Sequence, residues 1–194
     1  MTAPALDTRT FDGVTIPTPG TFALDAAHSD VAAVARHLVV SKVRGTFANV
    51  TGTIVIAEDP LQSSVTASIP AETINTNSKD RDNHLRSPDF LDVENYPTLD
   101  FRSTSVVSHS GTDFVLRGDL TIRGVTRAVD LKVEYDGVAK SPWGQEVVAF
   151  SATTEFDREE FGMTWNQALE TGGVVVSKKI AVHISAEAIR QAAE

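Results

Sequence analysis

The chain has 194 residues, 41% hydrophobic and 22% charged, with no cysteine and a formal charge of −9. This is ordinary globular composition, long enough to hold a core without disulfides, and it excludes thiolate metal sites, cysteine nucleophiles and CxxC redox chemistry. The acidic balance counts against a phosphate-backbone partner, because even the densest basic stretch, Arg36, Lys42 and Arg44, lacks interleaved aromatics.

Residues 1–20 hold Pro4, Pro17 and Pro19 among Thr and Asp, and are expected to form an extended or frayed arm. They have no apolar h-region and carry Asp7 and Asp12, so they do not read as a secretory signal. No apolar run approaches the ~18 residues of a membrane span, and the expectation is a cytoplasmic protein. Beyond the arm the chain is rich in strand formers: 23 Val, 21 Thr and 9 Ile against 11 Leu.

Val31 to Leu38 is ambiguous. Val31, Val34, Ala35 and Leu38 fit helical spacing and three alanines favour helix, whereas the following apolar run fits a strand. Period-2 rows then follow one another. Ile54 and Ile56 oppose Thr53 and Val55, and Val65, Ala67 and Ile69 oppose Ser64, Thr66 and Ser68. Leu99 and Phe101 alternate with Asp100 and Arg102, and Leu116, Leu120 and Ile122 with Arg117, Asp119 and Thr121. Val129, Leu131, Val133 and Tyr135 form the cleanest row. Val148, Phe150, Ala152 and Phe156 form another, and Ile180, Val182 and Ile184 the last. One apolar and one polar face, with short turns between, predicts an antiparallel sandwich or closed barrel in one domain. Two stretches break the rhythm. Ser78 to Leu91 is predicted to be a short helix, with Ser78 or Asn77 as N-cap, Leu85 facing in and Pro88 ending it. Asp157 to Thr171 is predicted to be a long loop with one helical turn.

Catalytic motifs are missing. None of His28, His37, His84, His109 and His183 pairs at metal-ligand spacing, no HExxH pattern occurs, and no GxSxG elbow supplies a nucleophile. His183 alternates out of an apolar strand and is expected at the surface, while His28 and His37 are left free to converge in space. The cluster Glu155, Asp157, Glu159 and Glu160 reads as an acidic loop surface.

Several strings carry a resemblance. They are Ala27-His28-Ser29, the run from Arg36 to Phe47, Ile74-Asn75-Thr76, Arg81 to Asp92, Tyr96 to Thr104, Gly118 to Thr126, and Arg158 with Phe161-Gly162. In this order they resemble the YceI-like family of polyisoprenoid- and lipid-binding proteins, over about Phe22 to Ile189. The resemblance implies an all-β fold: a single extended antiparallel eight-stranded lipocalin-like β-barrel with a short helix near one end, spanning residues 21–191 after the arm. It makes Val31 to His37 a strand. It also implies a binding protein, not an enzyme, that encloses a polyisoprenoid, isoprenoid quinone or fatty ligand in a tunnel and needs no other cofactor. Many relatives have Trp where this chain has Phe22, and bulkier residues than Ala33 and Ala35; the small alanines are expected to widen or reshape the tunnel.

On that basis Phe22, Leu38, Phe47, Ile54, Ile56, Ile69, Phe90, Phe101, Leu120, Val133, Phe150 and Phe156 are expected to line the tunnel. His37, Arg81 and His84 are candidates to meet a polar headgroup, with bracing of the short helix the alternative for Arg81 and His84. Two rivals stand beside this reading: an enzyme on a lipid-like substrate with His37 or His84 as general base, and a packed barrel serving as an interaction scaffold. The sequence leaves a homodimer open.

Overall fold

The computed structural model describes residues 6–38, 40–168, 170 and 173–192. Its strands are β1 (Thr8–Phe11), β2 (Val14–Pro17), β3 (Gly20–Leu24), β4 (Asp30–His37), β5 (Ser41–Phe47), β6 (Thr51–Ile56), β7 (Ser64–Pro70), β8 (Thr98–Ser110), β9 (Asp113–Ile122), β10 (Val125–Lys140), β11 (Glu146–Asp157) and β12 (Lys179–Arg190). The helix α1 (Lys79–Arg86) lies between β7 and β8. None of the described helices is long and apolar enough to cross a membrane.

The strands make an eight-staved closed antiparallel barrel. The first stave is β3 continued by β4, the second β5 continued by β6, and β7 to β12 follow in order, each paired with its predecessor. β12 closes the ring by pairing β11 along its whole length and, on its other edge, β4 and then β3. The staves are long. At about 3.3 Å per residue, the 16 residues of β10 span roughly 50 Å, so the barrel is tall and its interior elongated.

The break in the first stave explains the Ala27-His28-Ser29 string. Between β3 and β4 the chain leaves the ladder, and Ser29 bridges the gap: its hydroxyl accepts from the Glu187 N–H at 3.2 Å and donates to the Glu187 carbonyl at 3.3 Å. The Asp25 carboxylate caps the turn by accepting from the Ala27 N–H and contacting His28 Nδ1, at 2.9 and 2.8 Å. Their hydrogen bond, its largest cause, holds the Asp25 pKa below and the His28 pKa above the ordinary values. His28 therefore serves the turn. His37 lies at the far end of β4, so the two histidines do not converge.

β4 settles the ambiguity at Val31 in favour of strand. Ladders to β5 and β12 satisfy its backbone on both sides, and that outweighs the helix preference of its alanines. The short helix is present but ends at Arg86, with Ser87 as its C-cap before Pro88. Ser78 occupies the N-cap position without a side-chain cap bond, and Asp82 instead folds back to accept from both the N–H and hydroxyl of Thr76. The long loop after β11 opens with a 3-10 turn, Arg158–Phe161, capped by Asp157. Two residues of the predicted acidic cluster are ion-paired: Glu155, on β11, with Lys179, and Glu159 with Lys178. Leu169 and Thr171, at the far end of the predicted loop, lie outside the described residues.

One expectation is corrected. Residues 8–17 are a β-hairpin rather than a frayed arm. Asp12 and Gly13 both take positive φ, 46° and 79°, the geometry of a two-residue turn that matches strand twist. The hairpin closes one end of the barrel. Arg9 donates to the carbonyls of Ala57 and Glu58, both at 2.6 Å, Phe11 packs on the ring of His109, and Pro17 is fully buried.

Candidate functional site

The barrel interior is hollow. An elongated cavity of about 550 Å³ runs through it, walled almost wholly by aliphatic and aromatic side chains. Burial gives the same picture: Leu120, Phe101, Phe150, Val182 and Ile184 point inward from the period-2 rows yet are only partly buried, because they border empty space. A well-packed barrel would leave no such residues half-covered.

Ten of the twelve residues expected to line the tunnel do so: Phe47, Ile54, Ile56, Ile69, Phe90, Phe101, Leu120, Val133, Phe150 and Phe156. Two do not. Phe22 is fully buried in a cluster with Ile54, Val148 and Ala188 at the hairpin end, where the Arg190 guanidinium stacks over its ring at 4.6 Å. It seals the barrel rather than facing the cavity. Leu38 sits in the turn after β4 with φ of 52° and is 40% exposed. The inward positions of β4 are the odd ones, Val31, Ala33, Ala35 and His37, and Leu38 falls outside that alternation. The two alanines on this wall are among the small residues that give the cavity its width.

Sequence reasoning missed the hairpin's contribution of Phe11, Val14, Ile16 and Pro17 to one end of the cavity, and Trp165 and Met163 at the other. The Asp12-Gly13 pair between apolar residues was the available signal for the former.

The polar groups are distributed unevenly. His37, Arg81 and His84 all border the cavity at the end that carries α1. Arg81 is held by Thr76: Nε donates to its hydroxyl at 2.7 Å and Nη2 to its carbonyl at 2.8 Å. His84 Nε2 contacts the Asp89 carboxylate at 2.8 Å, and its ring meets Phe90 and Trp165 edge-on at 5.0 and 4.6 Å. These contacts brace His84 in an aromatic cluster with Phe90 and Trp165. Arg158, also at this end, is only 2% exposed. At the hairpin end the hydroxyl of Tyr135 is buried without a partner among the described residues, and burial pushes its pKa up to about 12. It stays a neutral donor.

Asp25, His28 and Glu187 bring two carboxylates and an imidazole together on the outer face. They close the break in the first stave, and His183 is exposed as expected.

Fold and cavity together define an up-and-down antiparallel barrel built around a long apolar tunnel. The model of the YceI-like domain matches residues 22–188, and the chain belongs to that family. A UPF0312 protein of Staphylococcus epidermidis is 39% identical over 171 residues, covering 86% of this chain and 95% of its own. A Staphylococcus aureus UPF0312 protein matches with the same identity and coverage. Among solved structures, a Campylobacter jejuni YceI protein superposes with a TM-score of 0.69 at 28% identity, covering 81% of this chain and 90% of that one. BcnA of Burkholderia cenocepacia (TM-score 0.72, 20% identity, 84% and 98% coverage) shares the fold. So does a Saccharophagus degradans structure described as a polyisoprenoid binding domain (0.65, 13%, 88% and 98%).

Proposed function

We propose that this protein binds a long apolar chain of the isoprenoid class, such as a polyprenol or an isoprenoid quinone, or a fatty chain of similar length, and carries or stores it. The observation that carries this reading is the tunnel itself: elongated, apolar along its length, and with His37, Arg81, His84 and Arg158 gathered at the α1 end. Its volume lies within the ~300–1,000 Å³ range of small-molecule sites. Each five-carbon unit moved from water into such a wall contributes up to about 4 kcal/mol, at ~0.8 kcal/mol per CH₂. A few units therefore reach tight binding even after ordering costs. The description of the Saccharophagus structure supports the same ligand class.

Binding of such a chain requires no catalysis. The test is uptake by delipidated protein of a polyprenol, a ubiquinone analogue and a fatty amide, followed by isothermal titration. The expected result is saturable one-to-one binding that strengthens with chain length until the tunnel is filled. Absence of uptake for all three compounds would overturn the proposal.

A further inference from the structure

Among the described residues, Arg158 is a buried cation without a counter-ion. The side chain is 2% exposed, and no carboxylate among the described residues lies within ion-pair distance: Glu159 pairs with Lys178, and Asp157 caps the turn. Two of its donors are used for positioning. Nε donates to the Ser177 carbonyl at 3.0 Å and Nη1 to the Met163 carbonyl. These bonds join both sides of the loop after β11 and fix the plane of the guanidinium. Nη2 is buried with no acceptor among the described residues. The Phe90 ring covers the group, 5.7 Å from Cζ, and Trp165 and His84 close around Phe90. Arg158 and all three of these rings border the tunnel.

Such an arrangement is costly as it stands. An orphaned buried donor forfeits about a hydrogen bond's worth of solvation, and an uncompensated buried charge forfeits more. Arginine stays protonated at any ordinary pH, so only an incoming acceptor relieves the penalty. An oxyanion does so best, because it neutralises the charge and makes the stronger, charge-assisted bond.

We propose that Arg158 Nη2 is the headgroup site of the tunnel, and that the chain bound here ends in an oxyanion, a carboxylate or a phosphate. This rests on the chain-binding reading above and adds to it a head chemistry and a direction: head at the α1 end, tail toward the hairpin.

The experiment compares matched pairs on delipidated protein: palmitate against hexadecanol, and geranylgeranyl monophosphate against geranylgeraniol. The anionic member of at least one pair is expected to bind about tenfold to a hundredfold tighter. Whichever pair shows the larger ratio identifies the head as carboxylate or phosphate. In Arg158→Met that ratio collapses toward one, and Arg158→Lys, which keeps the charge but not the fork, retains part of it. Equal affinity within both pairs for the wild type overturns the headgroup site and leaves the chain-binding reading standing. Binding of none of the four overturns both. A preference that survives in a folded Arg158→Met protein overturns the assignment to Arg158. If that variant does not fold, the wild-type ratios and Arg158→Lys still decide.

Discussion

Replacing Ala33 with Phe places a ring in the tunnel. Ala33 sits mid-strand on β4, facing the cavity and paired across the ladder with Gly45, so neither residue brings bulk to this part of the wall. A phenyl ring there displaces about one isoprenoid unit, or five carbons. At ~0.8 kcal/mol per buried CH₂ the loss is up to about 4 kcal/mol, whereas the efficiency of drug-sized ligands, ~0.3 kcal/mol per heavy atom, gives about 1.5. The affinity for a full-length polyprenol is therefore expected to fall between about tenfold and a thousandfold. Stability should move the other way. A ring entering empty apolar space gains up to ~1.5–3 kcal/mol of burial, so thermal unfolding of the empty protein is expected to hold or rise by a few degrees. Titration calorimetry and differential scanning calorimetry on the same samples read both. A variant that unfolds several degrees earlier with undiminished ligand uptake would refute the reasoning, since overpacking of a filled core costs ~1–3 kcal/mol.

Three further outcomes are expected. Deleting residues 1–17 removes Phe11, Val14, Ile16 and Pro17 from the cavity wall. It should speed release of a bound polyprenol about tenfold or more in stopped-flow exchange, and an unchanged rate would show that the hairpin does not close that end. Gly118→Ala brings a Cβ within 2.3 Å of the Phe101 ring and 2.6 Å of the Arg102 carbonyl; a loss of about 1–3 kcal/mol should lower the unfolding midpoint, and an unaltered midpoint would contradict the packing. The hydrogen bond to Asp25 raises the His28 pKa, so its contribution to stability is full below the ordinary value of 6.5 and fades as pH climbs through the raised one. Asp25, shifted down, contributes above its ordinary 3.8 and loses that contribution on acidification. NMR titration should place the His28 midpoint above 6.5, and Asp25→Asn should return it toward that value.

What the residues disclose in advance follows from how far their determinants reach. The inward rows on β6 to β12 were readable because each strand has water on one face and an apolar interior on the other, which imprints a period of two on the local sequence. That interior-facing set is also the cavity wall, so ten lining positions came with the fold. The alanines of β4 leave helix and strand open locally because their partners on β5 and β12 follow later in the chain. Phe22 looks like any other inward aromatic, and only the closure of the barrel end by Pro17 and Arg190 removes it from the wall. Arg158 was visible as part of a string but not as a site: its isolation depends on Phe90, Met163 and Ser177, and on ion pairs that occupy the neighbouring carboxylates.

The central claim is that the barrel is hollow in order to hold a chain. Organic extraction of the freshly purified protein, followed by high-resolution mass spectrometry, tests it most directly. The account expects about one equivalent of an elongated apolar molecule of isoprenoid or fatty type, absent from a mock extraction. A protein that yields no such molecule, and takes up neither a quinone analogue nor a polyprenol when offered one, would contradict it.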